Sequence, residues 1–320
     1  MKLIVALTVL LLFASYAVGK DAGTTDVDTA ASANMDEKAT VRSTKTVSRR
    51  QMRQLTEAAK DGDEHKVRTI LSKGAPADSV DDYHVSALHY AAEGGHMPIL
   101  RALLEAGADP NFRLDDRSNF RKGETPLHWA ATQDRAEVTQ ALLDAGADAV
   151  GTSEKGVAAI HLAAGLGFLE TVKVYLAAGV DPNIEADNQF GSTPMHLAST
   201  GENLETLTAL HVAGGSITKK NRRGASPIHG AFATGNVDIA HYLLDNGAVW
   251  RGVEAQNADG QTPFDVLLEQ QQHGRVTEKQ RARIEELLHA AEARIPTQID
   301  PLPGFDNKHH SELWKRTLII

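Results

Sequence analysis

The sequence predicts an all-α repeat solenoid of about six units behind an N-terminal helical cap, and three observations carry that reading. First, "GETPLHWAATQDRAEVTQALLDAGAD" (Gly123–Asp148) and "GVAAIHLAAGLGFLETVKVYLAAGVD" (Gly156–Asp181) share Gly, His, Ala-Ala and Ala-Gly-x-Asp at the same internal offsets, 33 residues apart. Second, a four-residue opening motif recurs: "SALH" (Ser86–His89), "TPLH" (Thr125–His128), "AAIH" (Ala158–His161), "TPMH" (Thr193–His196), "SPIH" (Ser226–His229) and "TPFD" (Thr262–Asp265), at spacings of 39, 33, 35, 33 and 36 residues. Third, the copies at the two ends depart from the pattern, as units that expose one face to water must.

Taken in chain order, the first nineteen residues place Lys2 ahead of an apolar run from Leu3 to Phe13, then small residues suited to cleavage after Ala17 or Gly19. This is the pattern of a secretory signal peptide over 1–19, with an apolar run too short to span a bilayer. No stable membrane insertion is expected after cleavage. Residues 20–50 are rich in Thr, Ser, Ala and Asp, and no aromatic residue occurs between Ala17 and Asp82. A disordered leader is expected there, because such a stretch buries too little apolar surface to offset its ordering entropy. The repeat domain is expected over 51–292. It opens with "QLTEAAKDGDEHKVRTILSKGA" (Gln54–Ala75), in which Leu55 lies 33 residues before Leu88, so this segment matches the helical half of a unit and serves as the cap. The last unit carries Asp265 in place of His and runs into a polar stretch; 293–320 is a Pro-containing tail without repeat signal.

Within a unit, Thr-Pro sets a capping hydroxyl before a proline at the first helical turn, where the missing N–H costs nothing, so Pro126, Pro194, Pro227 and Pro263 should start helices. Small residues such as Ala130 and Ala131 let the next helix approach. A second helix follows with apolar residues at helical spacing (Val138, Leu142 and Leu143; Val172, Tyr175 and Leu176), and ends at Gly146 or Gly179, where a left-handed residue is wanted. One unit cannot bury both helical faces alone, so the units must stack.

Gly123–Asp148 resembles the ankyrin repeat almost in full, and the resemblance extends from about Gln51 to Ala291. It implies inter-repeat loops that project as fingers and, with the inner helices, a concave surface that grips a protein partner. It also implies that His89, His128, His161, His196 and His229, which share one repeat position, bond backbone groups within and between units. "RQMR" (Arg50–Arg53) resembles the Arg-x-Leu-Arg translocation motif of oomycete effectors, with Met52 where that family has Leu; delivery into a host cell is the function this would imply.

Composition narrows the function. A formal charge of −9 with a pI near 5.9 argues against nucleic-acid binding, which rests on a basic surface. The chain has no Cys and no Asn-x-Ser/Thr site, which suits a bacterial periplasm or a secreted protein that ends in another cell's cytosol. It has no nucleophile elbow, phosphate loop or His-Glu-x-x-His, and "KHH" (Lys308–His310) lacks a third placed ligand. No catalysis, cofactor or metal is therefore expected, the competing reading being an enzyme whose site lies across repeats. The expected partner is a protein, and the chain is expected to be a monomer. Candidate contacts lie where the fingers depart from the repeat: Phe112, Arg113, Arg117, Phe120 and Arg121 in the finger Asn111–Lys122, which carries six residues beyond the 33-residue period, Gln189 and Phe190, the basic run Lys219, Lys220, Arg222 and Arg223, and Trp250. Aromatic residues and Arg are favoured where binding energy concentrates.

Overall fold

A computed structural model of the chain describes residues 49–115 and 121–293. The signal peptide, the leader up to residue 48, the tail from 294 and the Lys308–His310 run lie outside the described residues, as do Arg117 and Phe120.

The described residues form seven helix pairs. The cap is α1 (Arg49–Asp61) and α2 (Glu64–Ser72). Six units follow: α3 (Ala87–Gly94) with α4 (Met97–Glu105), α5 (Pro126–Ala131) with α6 (Ala136–Asp144), α7 (Ala159–Gly165) with α8 (Leu169–Ala177), α9 (Pro194–Thr200) with α10 (Leu204–Val212), α11 (Pro227–Thr234) with α12 (Val237–Asp245), and α13 (Pro263–Gln272) with α14 (Glu278–Ala293). The four prolines named above each open a helix. Gly146 and Gly179 follow their helices at φ +88° and +84°. Odd-numbered helices stack in an inner row and even-numbered ones in an outer row, and the substantial helix contacts run within a unit or between adjoining units. One apolar cluster threads the stack from Leu55 to Leu288, with Leu127, Leu142, Ile160, Tyr175, Leu207 and Phe232 fully buried. Each such side chain contributes about 1.5–3 kcal/mol on burial.

The motif histidines join the units. In α5, α9 and α11 the backbone N–H of Thr125, Thr193 or Ser226 donates to Nδ1 of His128, His196 or His229 at 3.1–3.2 Å. An N–H can only donate, so Nδ1 is the bare acceptor and the proton sits on Nε2. That Nε2–H points at a carbonyl of the following unit: Val157 at 2.9 Å, Ala225 at 3.0 Å and Gln261 at 3.4 Å. His89 reaches Glu124 O at 3.3 Å, and His161 reaches Ile184 O and Ser192 O at 3.1 Å each. In the last unit Asp265 Oδ2 accepts from Thr262 N at 2.8 Å and Thr262 Oγ1 at 2.6 Å. Among the described residues no further unit follows, so a histidine there would carry a donor without a carbonyl, whereas a carboxylate only accepts.

The fingers are tight turns closed by backbone bonds, such as Ser153 N to Val157 O at 3.0 Å and Asn221 N to Ala225 O at 2.8 Å. Their tips are linked in turn: Glu154 N to Lys122 O, Asp187 N to Gly156 O, Arg222 N to Phe190 O and Ala258 N to Arg223 O, at 2.6–3.2 Å. Gly156 must be glycine for this, since its φ is +68° and a Cβ would lie 1.8 Å from Asp187 O. At the far end of the units, Asn111 and Asn183 each bond across to the next: Asn183 Nδ2 donates to Gly214 O at 2.9 Å, and Asn183 Oδ1 accepts from Ser216 N at 2.8 Å.

Burial holds the histidines neutral: His89 is pushed down to about 3, and His128, His161 and His196 to about 4. Unfolded, each titrates near 6.5. The unfolded chain therefore binds more protons below that pH, and stability that is whole above pH 6.5 falls by about 1.4 kcal/mol per pH unit per histidine until pH approaches the folded values. The urea midpoint should stay level from pH 8 to 7 and drop steeply from 6.5 toward 4.5; a flat profile across that window would contradict the neutral relay. His161 supplies a second check, because Ala158 offers no hydroxyl and its buried Nδ1 has no partner. Ser86 fills the same repeat position with no exposure. Ala158→Ser should raise stability by about 1 kcal/mol in urea denaturation, and no gain would mean that the nitrogen is already satisfied.

Candidate interaction surface

The structure places the finger residues in two groups, those that hold the stack and those that face outward from it. Phe112 turns its ring edge toward His89, with 6.0 Å between centroids. Arg113 Nη2 donates to Thr152 O at 2.6 Å. Arg121 lies 3.9 Å above the Trp129 ring and bridges Glu124 at 2.8 Å and Glu93 at 3.6 Å. In the basic finger, Lys219 Nζ donates to Asn183 O and pairs with Glu185, Lys220 Nζ donates to Gln256 O at 2.9 Å, and Arg222 donates to Asn188 O. These cations clamp neighbouring fingers rather than project from them. Lys219 and Glu185 are exposed enough for their pairing to be worth little in itself.

Phe190 and Arg223, from consecutive fingers, are brought together, the guanidinium 5.4 Å from the ring centre. Gln189 is exposed at the same tip. Trp250 packs against the main core with Arg251 at 5.6 Å, so it covers apolar surface. Arg50 and Arg53 lie on α1, with Arg53 paired to Asp82 at 3.5 Å. The five motif histidines are buried in the relay described above.

Reasoning aimed at the loops misses a row on the inner helices. The residue after the motif histidine, or after Asp265, is Tyr90, Trp129, Leu162, Leu197, Gly230 and Val266 in successive units. It takes five residue types in six units while its neighbours repeat, and that contrast is the signal by which the row could be found. At the N-terminal end this row is filled in. Trp129 stands edge-on to His89 and Tyr90 at 5.3 and 5.7 Å, and Val85, Leu114 and Trp129 form a second small core with Tyr90 against it. Tyr90 donates to Asp81 Oδ2 at 2.7 Å; burial first, and then this bond, hold its phenol well above the usual range. Burial also raises the Glu124 carboxyl, with Arg121 opposing. Toward the C-terminal end the row opens into a groove of about 110 Å³ between α9, α11, α13 and three fingers, where Phe190 and Arg223 meet Gly230, Ala233, Val266 and Arg275.

Among the described residues no three His, Cys, Asp or Glu side chains gather where they could hold a metal ion, and no helix is long and apolar enough to cross a membrane.

Comparison with known proteins agrees with this architecture. A family model described as ankyrin repeats (three copies) matches residues 55–153 and 160–251. Among curated proteins, the chain is 28% identical over 211 residues to a transient receptor potential cation channel subfamily A member 1 homolog of Caenorhabditis elegans, covering 66% of this chain and 14% of that one. It is 29% identical over 218 residues to the probable E3 ubiquitin-protein ligase XBOS32 of Oryza sativa subsp. japonica, covering 67% and 41%. The chain thus spans less than half the length of either relative. The human ASB11 ankyrin repeat domain superposes with a TM-score of 0.61 at 28% identity, covering 73% of this chain and 96% of that domain. Ankyrin repeats generally mediate binding to protein partners. With the histidine relay, the linked fingers and the family match over most of the stack, the chain belongs to the ankyrin repeat family.

Proposed function

We propose that the chain is a secreted, non-catalytic scaffold that binds a protein partner across its concave face. The observation that carries this reading is the inner row: six positions with one backbone setting hold five different residue types, among neighbours that barely vary. A frame that repeats while this inner-helix row does not suits recognition, in which specificity comes from variable groups on a constant support. The fingers contribute chiefly by holding the row's rim in place, and Phe190 with Arg223 is the part of them that reaches the partner. Secretion rests on the signal-like pattern of residues 1–19.

The test is affinity capture with quantitative mass spectrometry on the full chain, on Leu162→Glu/Leu197→Glu within the row, and on Val212→Glu on the outer helix α10, where the side chain is 81% exposed. A protein held by the wild type and by Val212→Glu should fall by about tenfold or more with the folded double variant. Equal recovery by all three would remove the concave face from the account. Secretion is checked separately by N-terminal sequencing of protein from culture medium. The chain should begin just after Ala17 or Gly19, and retention inside the cell with Met1 in place would end that part of the proposal.

A further inference from the structure

The groove under the last three units differs from the rest of the concave face in shape and in charge. Gly230 is the one bare member of the inner row, set where other units carry Tyr, Trp, Leu or Val. A glycine inside a helix costs about 1 kcal/mol relative to alanine, so it needs a reason. Packing supplies one: a Cβ on Gly230 would come within 2.4 Å of Ser199 Oγ and 2.9 Å of Thr200 Cγ2. The opening above it is what that close packing leaves. Its floor is apolar, formed by Gly230, Ala233 and Val266 with the Phe190 ring at one side. About 110 Å³ suits a single apolar side chain, since pockets for drug-sized ligands run to about 300–1,000 Å³.

Charge sets the rest of the ligand. Arg53, Arg121, Lys122, Lys173, Lys219, Arg251 and Arg281 all pair with carboxylates. Arg223 and Arg275, which line the groove, make no ion pair among the described residues; Arg223 rests near Phe190, and Arg275 Nη1 donates to Gln270 Oε1 at 2.9 Å. Asp259, exposed on the next fingertip, adds one carboxylate to the lining, so the groove is positive by one charge on a chain of −9. Guanidinium beside an apolar floor is the complement of a carboxylate beside an apolar side chain. Three units at about 10 Å spacing span about 20 Å, the length of about six residues of extended chain.

We propose that this groove binds an extended peptide segment of a partner protein in which Asp or Glu adjoins a bulky apolar residue. The apolar side chain sits over Gly230, and Arg223 and Arg275 take the carboxylate. The inference rests on the protein-binding reading above and assigns that binding to one part of the concave face.

The test begins with random peptides displayed on phage and selected on the full wild-type chain. Selected peptides, labelled with fluorescein, are then titrated by anisotropy against wild type, Ala233→Phe, Arg223→Ala/Arg275→Ala and Val212→Glu. Ala233 is partly exposed and lines the groove, so the larger ring fills the groove rather than the core. Thr234→Tyr repeats the block from the next position should Ala233→Phe unfold the chain. Enriched peptides should carry Asp or Glu next to Leu, Ile or Phe, and their Kd should rise by about tenfold or more in the blocking and charge variants but not in Val212→Glu. Amidating the acid (Asp→Asn or Glu→Gln in the peptide) should cost as much as the charge variant and add little to it. Enrichment of peptides without an acid, affinities unmoved by Ala233→Phe and Thr234→Tyr, or no enrichment at all would overturn the groove. If selected peptides ignore the blocking variants yet are lost with Leu162→Glu/Leu197→Glu, or if a captured protein depends on that row while no peptide is selected, the groove fails and the scaffold stands.

Discussion

Each helix pair carries two apolar faces and has a partner for only one of them, and everything else in the molecule follows from having to cover the second. Stacking covers it, and the continuous core from Leu55 to Leu288 is the result. Apolar contact alone is indifferent to small slides of one unit over the next, because a row of alanine and leucine side chains meets its neighbour almost equally well at several offsets. The imidazole of each motif histidine removes that freedom. In His128, His196 and His229 the bare Nδ1 is held by the start of its own helix and the Nε2–H meets one carbonyl of the next unit, and Nε2 of His89 and of His161 also reaches carbonyl oxygen there, so the register between units is set by a directional bond. A neutral imidazole is needed for this, and the buried setting that keeps it neutral is produced by the same stacking it aligns.

With the register fixed, the fingers fall into line and spend most of their polar groups on one another. Arg113, Lys219, Lys220 and Arg222 look like solvent-facing charge in the sequence, yet each donates to a carbonyl of the neighbouring finger. The concave wall is thereby stiffened along its rim, and the surface that varies from unit to unit is the inner-helix row beneath it. That row has two ends of different character. Trp129 under Arg121, with Tyr90 and Phe112 beside it, closes the first, while Gly230 leaves the second open.

The parts of this arrangement that were legible in the sequence are those written in one residue type at one repeat position. Proline at the first turn announced four helix starts, the glycine after each second helix announced its end, and Asp265 in place of histidine announced the last unit. The fingertip ladder was not legible, because its bonds join backbone atoms of residues about 31–35 apart and need no particular side chain, apart from glycine at a position such as Gly156. For the same reason the basic finger read as a contact for a partner: a lysine that will meet a carbonyl of the adjoining loop is indistinguishable, by type, from one that will meet water. The groove was hidden differently. Gly230 is conspicuous only when the six units are set beside one another, and Arg275 lies in the polar stretch after the last motif, where the sequence departs from the repeat.

Among the described residues, the substantial helix contacts that build the stack join a unit to itself and to its immediate neighbours. A body built so has no cross-bracing, and its stiffness against bending is that of a coil spring, shared thinly along the whole length instead of gathered at a hinge. Small changes in tilt at each junction add up to a large change in curvature between the ends. A ligand lying across three consecutive units would act as a chord on that arc, fixing the local radius, and the far end of the molecule would swing by an amount set by how many free junctions lie between.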